Sequence, residues 1–238
     1  MQRTLVFSID EYYHIYNRGV DKRVVFNDST DYVRFVTLLS YCNDIKTINI
    51  RDLKRKYKDS EMPFVLPNKG DPLVEIGAWC LMPNHFHLLL KERCEGGISK
   101  FMLKVTTAYT MYFNKRYGRS GALFQGVFKA EHLDNDNYLK YTFSYIHLNP
   151  VKLIQKDWKN NGILDIDNTF KFLKGYAYSS YLDYCESSKR EWLTLLNKEA
   201  FPKYFIDDHV FEREILDWLR YQPSKNVLPE VNPRAEPE

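Results

Sequence analysis

The chain has 238 residues, 44% of them hydrophobic, with a formal net charge of +3. That allows one large domain with a smaller appendage, while no apolar run approaches the roughly 20 residues a membrane helix needs. The opening segment, soon followed by Asp10 and Glu11, does not read as a signal peptide. The four cysteines (Cys42, Cys80, Cys94, Cys185) form no CxxC pair, which argues for reduced thiols in a cytoplasmic protein and against a structural zinc site.

Residues 12–16 read as a first strand, rich in aromatic and β-branched side chains and ended by Asn17-Arg18-Gly19. Asp28 or Ser29 caps a helix over 31–41, where Tyr32, Phe35, Val36 and Leu39 keep helical spacing. A polar, lysine-rich insertion follows at 43–71, with a short helix expected at 51–58 and a Pro/Gly-rich loop after it. Residues 73–81 and 85–91 form the next two strands, paired as a hairpin across Pro83-Asn84. Glu95-Gly96-Gly97 breaks the chain, and 100–117 is an amphipathic helix with Ser99 a candidate cap. Residues 123–132 read as the fourth strand. Asp134 or Asn135 then caps a helix to Asn149, which Pro150 stops because proline lacks an amide hydrogen and restricts its predecessor. Helical pieces are expected at 179–184, 190–197 and 210–220.

This order, β-α-β-β-α-β-α, is the α+β, ferredoxin-like (RRM-like) layout. It predicts an antiparallel sheet with helices on one face and the other face free to carry a site. The expected division is a main domain at 1–155 with its insertion at about 43–72, a helical C-terminal extension at 156–222, and a poorly ordered tail at 223–238.

The densest signal is Leu81-Met82-Pro83-Asn84-His85-Phe86-His87-Leu88-Leu89-Leu90. Alternate side chains on a strand share a face. His85 and His87 therefore sit side by side while Phe86 points the other way, and two such imidazoles can converge on one divalent cation. Packing at a sheet surface is the plain alternative for the pair taken alone. The helix ending at Asn149 aligns Tyr138, Tyr141, Tyr145 and Asn149 along one face. Tyr138 and Tyr141 read as packing residues. Asn149, one turn beyond Tyr145, offers a carboxamide oxygen acceptable to a hard cation.

Charge is unevenly placed. The segment 98–160 carries ten Lys/Arg against four acids, a net +6, whereas 201–238 has eight acids against five bases, a net −3. A basic centre interleaved with aromatics suits a polyanion with unpaired bases. Lys104, Lys115, Arg116, Arg119 and Lys129 are candidate phosphate contacts, and Asn114 and Gln125 could touch bases. Each of these can equally be a solvated side chain. His147 reads as a surface or supporting residue rather than a ligand. His14, His132 and His209 read as structural.

Together, Met82-Pro83-Asn84-His85-Phe86-His87-Leu88-Leu89 and the downstream Tyr145-Ile146-His147-Leu148-Asn149-Pro150-Val151-Lys152 resemble the single-tyrosine HUH transposases. The closest resemblance is to the REP-associated tyrosine transposases, relatives of insertion-sequence transposases. Tyr16-Asn17-Arg18-Gly19, Tyr112-Phe113-Asn114-Lys115-Arg116-Tyr117-Gly118, Leu123-Phe124-Gln125-Gly126-Val127-Phe128-Lys129-Ala130 and Tyr178-Ser179-Ser180-Tyr181 extend the likeness over about residues 10–184. The resemblance implies that His85, His87 and Asn149 bind Mg²⁺ or Mn²⁺ and that Tyr145 is the nucleophile. It further implies that single-stranded, hairpin-forming DNA (REP-like palindromes) is cut through a 5′-phosphotyrosine link, leaving a free 3′-hydroxyl for strand transfer.

The chemistry of these residues agrees. A phenol, with a pKa of about 10, needs an activator and placement to attack a phosphate. A cation held by neutral ligands keeps its charge for the phosphate oxygens. Two other readings stay open: a non-catalytic binder of single strands or hairpins with a vestigial site, and a metal-dependent phosphodiesterase acting through water. Monomer and homodimer are both compatible with the sequence.

Overall fold

Four strands form the sheet: β1 (Tyr12–Arg18), β2 (Val74–Met82), β3 (His85–Glu92) and β4 (Lys129–His132). They form one antiparallel sheet in the order β2-β3-β1-β4. The computed structural model describes residues 5–46, 70–185, 190–204 and 207–220. Helix α1 (Ser29–Tyr41) connects β1 to β2, and α2 (Gly97–Arg116) connects β3 to β4. This is the expected ferredoxin-like arrangement. The helix expected at 51–58 and the tail from 223 lie outside the described residues.

Local chemistry sets the element ends. The Asp28 carboxylate accepts from the amides of Thr30 and Asp31 and starts α1. Helix α2 begins earlier than expected, and Ser99 is not its cap. The Glu92 carboxylate at the end of β3 instead accepts from the amides of Gly97 (3.0 Å) and Ile98 (2.8 Å), and Gly96 takes the left-handed φ of +70° that makes this turn. Strand β4 is much shorter than the expected 123–132. Gly126, at positive φ, interrupts the run. Leu123 and Phe124 are buried all the same, and Phe124 bridges Gly19.

The two faces of the sheet are covered by different layers. Tyr13 and Ile15 of β1, Trp79 and Leu81 of β2, and Phe86, Leu88 and Leu90 of β3 join the core beneath α1 and α2, with Phe35, Phe101, Val105 and Tyr109. The expectation of helices on one face holds for these two. The opposite face is not left open. Helix α3 (Asp136–Leu148) crosses β2 and β3 there, and the C-terminal α4 (Trp158–Asn161), α5 (Ile166–Gly175) and α6 (Asp208–Arg220) extend the layer. Leu139, Phe143 and Ile146 pack on Cys80, Met82 and Leu89 from above, and Phe211, Ile215 and Leu219 of α6 close this second core. Every residue of β2 is therefore buried, as expected of a strand with both faces covered.

The extension also closes the outer edge of β2. The Leu81 amide donates to the Tyr178 carbonyl (2.9 Å), the Trp79 amide to Ser180 Oγ (2.9 Å), and Cys80 bridges Ser179. An edge strand is thereby kept from pairing with other chains. His147 of α3, expected at the surface or in a supporting role and not as a ligand, is fully buried and holds this segment in place. Its Nδ1 lies 2.9 Å from the Phe143 carbonyl and its Nε2 2.7 Å from Ser180 Oγ. With Nδ1 donating to the carbonyl, Nε2 accepts from the serine hydroxyl. Burial pushes this imidazole down to about 3, so it stays neutral.

Candidate active site

Strand geometry puts His85 and His87 on the face that α3 covers, while Phe86 enters the opposite core. The two imidazoles are nearly perpendicular, their centroids 5.1 Å apart. The turn before them is rigidly seated. The Pro83 carbonyl accepts from the amides of Val25 and Phe26, and the Asn84 carbonyl accepts from Gly19. Asn84 Oδ1 lies 2.6 Å from His85 Nδ1 and so orients that ring.

Helix α3, capped by Asn135 accepting from the Tyr138 amide, lays Tyr145 over His87. The Tyr145 ring meets His87 edge-on at 5.6 Å between centroids and His14 at 5.8 Å. Tyr141 stacks beneath Tyr145, their centroids 6.2 Å apart. One turn on, Asn149 is 1% exposed. Its Nδ2 donates to the Tyr145 carbonyl (3.0 Å), and its Oδ1 is buried with no hydrogen-bond partner. An acceptor left unmatched in this way costs about 1–3 kcal/mol.

Protonation states follow from burial and nearby charge. Burial, helped by Lys152 and Arg18, pushes His85 down to about 4. Burial, then the neighbouring His85 and His14, holds His87 well below its usual range. Both are neutral near pH 7, the form that binds a cation. Burial raises the Tyr145 phenol above its ordinary 10, against the hydrogen-bonding influence of Asn149. Lys159 lies over the Tyr145 ring, with Nζ 4.3 Å from its centroid, and burial with the neighbouring Lys152 lowers it to about 7.

The donor set fits a small divalent cation. Strand β3 offers two neutral imidazoles, and one turn beyond Tyr145 the buried carboxamide oxygen of Asn149 has no protein partner, which a cation would satisfy. Among the described residues no group of three His, Cys, Asp or Glu side chains could hold a metal. A third protein donor here would be of another type, and Asn149 Oδ1, buried without a partner, is a candidate.

The other residues singled out from the sequence are dispersed. Lys104, Asn114, Lys115, Arg116 and Arg119 belong to α2 or its end, on the far side of the sheet. Lys104 Nζ donates to the Asp44 carbonyl (2.6 Å), Arg119 to Asn114 Oδ1 (2.8 Å), and Asn114 to the Gly121 carbonyl (2.9 Å). Arg116 is paired with Asp28 (2.6 Å) and the buried Asp31 (2.7 Å). Lys115 is exposed. Gln125 and Lys129 lie nearer the histidines. Gln125 Oε1 accepts from Arg18 Nε (2.6 Å), Arg18 being the register partner of His85, and Lys129 stands over Tyr16, the partner of His87.

Sequence reasoning missed Lys152, Lys159, His14, Tyr16 and Glu131. The basic count had noted the two lysines without placing them, and they follow the Asn149-Pro150 stop closely enough to have been tied to the helix end. His14 was set aside as structural. Its 2.9 Å contact with His87 brings it into the site.

The fold and site together define an α+β protein with a His-Tyr-Asn centre under a helix. Residues 68–149 match the family model described as "Transposase IS200 like". This stretch holds the His85–His87 strand, Tyr145 and Asn149, and it bears out the resemblance read from those motifs. No curated protein matches the chain. Among solved structures, one described as a REP-associated tyrosine transposase bound to a REP hairpin shares 14% identity at a TM-score of 0.45, over 77% of this chain and 84% of that one. The tRNA(His) guanylyltransferase of Saccharomyces cerevisiae shares 15% identity at a TM-score of 0.32, over 86% of each chain. Among the described residues no helix is long and apolar enough to cross a membrane.

Proposed function

We propose that the chain is a metal-dependent tyrosine transposase that cuts and rejoins single-stranded, hairpin-forming DNA. The observation that carries this reading is the juxtaposition of Tyr145 with His87, 5.6 Å between ring centroids, together with an Asn149 oxygen, one helical turn beyond Tyr145, that is buried without a partner. His85, His87 and Asn149 would hold Mg²⁺ or Mn²⁺. When bound, such an ion supplies Lewis-acid stabilisation of charge on the phosphate oxygens.

The chain's own groups carry the rest. Tyr145 Oη attacks the scissile phosphorus. The bond from phosphorus to the 3′ oxygen breaks, the phenolic proton is lost, and the 3′ oxygen takes up a proton. The products are a 5′-phosphotyrosine and a free 3′-hydroxyl. Reversal by another 3′-hydroxyl rejoins DNA without an external energy source, because the phosphotyrosine keeps the energy of the broken bond. Lys152 and Lys159 add positive charge where the phosphodiester would lie and favour the developing phenolate. Lys129, Gln125 and Arg18 extend a DNA-contacting edge along β1 and β4. The α2 residues stand away from that edge. Hairpin-forming palindromes are the substrate class of the family the motifs resemble, and the protein is assigned to the cytoplasm.

The test is a covalent adduct. Incubation with a labelled hairpin oligonucleotide and Mn²⁺ should give a protein–DNA band on a denaturing gel. Tyr145→Phe should reduce it by more than about 10³-fold, as loss of a nucleophile does, and leave hairpin binding intact. Cleavage that survives this substitution points to activated water and sinks the nucleophile assignment. Binding without any adduct from the unaltered chain would support the non-catalytic binder.

A further inference from the structure

Residues outside the strand motif reach the same site from two other strands. His14 of β1 lies directly opposite Glu131 of β4, and His87 lies opposite Tyr16, two positions along β1. His14 is 4% exposed, and its ring lies nearly parallel to that of His87, their centroids 5.1 Å apart. His14 Nε2 is 2.9 Å from His87 Nδ1, and His14 Nδ1 is 3.4 Å from Glu131 Oε2. The Glu131 carboxylate also accepts from the hydroxyls of Tyr16 (3.0 Å) and Tyr138 (2.9 Å). A partly buried chain of polar groups thus runs Glu131–His14–His87 across β4, β1 and β3.

Hydrogen-bond capacity gives this chain a direction. A neutral imidazole has one N–H and one acceptor nitrogen, and an ionised carboxylate only accepts. Glu131 is kept ionised: burial alone would raise its pKa, but the bonds from His14, Tyr138 and Tyr16 more than offset that and hold it below the usual range. The His14 proton therefore sits on Nδ1, facing Glu131. With a single proton on His14, its Nε2 is an acceptor and His87 Nδ1 the donor. That leaves His87 Nε2 as a bare lone pair. His85 is arranged alike, with Nδ1 engaged by Asn84 Oδ1 and Nε2 left over. Metal-ligating histidines commonly carry such an outer partner.

We infer that Glu131 and His14 are positioning residues that fix His87 as the Nδ1-protonated tautomer and offer its Nε2 to the cation shared with His85 and Asn149. Glu131 lends, through His14, the negative charge that the neutral ligand set lacks. The inference rests on the ligand reading of His85 and His87, but its first step, the tautomer, needs no metal.

The experiment begins with the metal-free full chain carrying isotope-labelled histidine. Long-range proton–nitrogen correlation spectra should show His87 protonated at Nδ1. Protonation at Nε2 in the unaltered chain would overturn the proposal, whether or not any variant folds. His14→Phe removes the acceptor. It should move His87 to the Nε2-protonated form and weaken calorimetric Mn²⁺ binding by about 10–100-fold. His14→Gln, whose carbonyl can still accept from Nδ1–H, should restore most of the affinity. Unchanged Mn²⁺ affinity in folded His14→Phe would overturn the positioning role. If the unaltered chain shows no Mn²⁺ binding that His85→Ala abolishes, the ligand reading fails and the aim of the relay with it. The tautomer result then still confirms or refutes the first step.

Discussion

Phe86 and His87 are neighbours on one strand, yet their side chains enter unlike surroundings. Phe86 lies among Phe35 and Phe124, with ring centroids 5.0 and 5.6 Å away, in a core of aromatic and aliphatic side chains under α1 and α2. His87 lies among His14, His85, Tyr16 and Tyr145, under α3. Burying polar groups costs free energy unless each finds a partner. The groups bonded around His87 meet that condition, whereas Asn149 Oδ1, Trp158 Nε1 and Tyr181 Oη on this face are buried without a hydrogen-bond partner. One face of the sheet can thus carry most of the stability while the other spends some of it on a site.

The comparison can be broken most directly on β3 itself. Phe86→Ala should lower the free energy of unfolding by about 3–5 kcal/mol in a urea titration, while cleavage persists in the fraction that stays folded. His85→Ala should change stability by no more than about 1 kcal/mol and abolish Mn²⁺ binding and adduct formation. Equal destabilisation by both would show that the two faces are not specialised.

A smaller effect separates structural bases from DNA-binding ones. Arg116 is held by Asp28 and the buried Asp31, which also accepts from Tyr112 and Tyr117. Arg116→Ala should therefore lower the midpoint of a urea titration, because the buried Asp31 loses a partner, and leave the salt dependence of hairpin binding unchanged. Lys159→Ala, on the other face, should lessen the slope of log affinity against log salt by about 1. The reverse pattern would move the DNA to α2.

The gentlest probe is acid. His85 and His147 have pKa values lowered to about 4 and about 3, and His87 is lowered as well. Between those values and the ordinary 6.5 the unfolded chain binds protons that the folded chain does not. Stability must then fall as pH drops below about 6.5, each such imidazole adding about 1.4 kcal/mol per pH unit within its window. His85→Ala should flatten the upper part of this slope by about one proton. An unchanged slope would mean that the histidine is not held neutral.

Much of this was legible because it is local. The strand and helix order, the His85–His87 pair and the Tyr145–Asn149 turn are all short-range periodicities. His14 and Glu131 were not legible for the opposite reason. Each looks like an ordinary strand residue, and they meet only because β1 pairs with β3 on one side and β4 on the other. The basic count misled for a related reason: the partners that engage Arg116 stand 88 and 85 residues earlier, in α1 and its cap. Glycine placement shortened β4, since an apolar alternation cannot show where positive φ will interrupt it. His147 looked peripheral because its partner, Ser180, belongs to an extension whose packing no local pattern announces.

That last contact bears on reaction kinetics. His147 is fastened to Ser180, and Ser180 to the backbone of β2, two residues along α3 from Tyr145. On the proposed reading, nucleophile and metal ligands are tied together within one chain, so attack is governed by effective concentration and not by encounter. The cutting step is then first order in protein, and dilution leaves the rate per bound chain unchanged. Lending α3 to a second copy would first require breaking a buried imidazole–serine bond and uncovering the edge of β2.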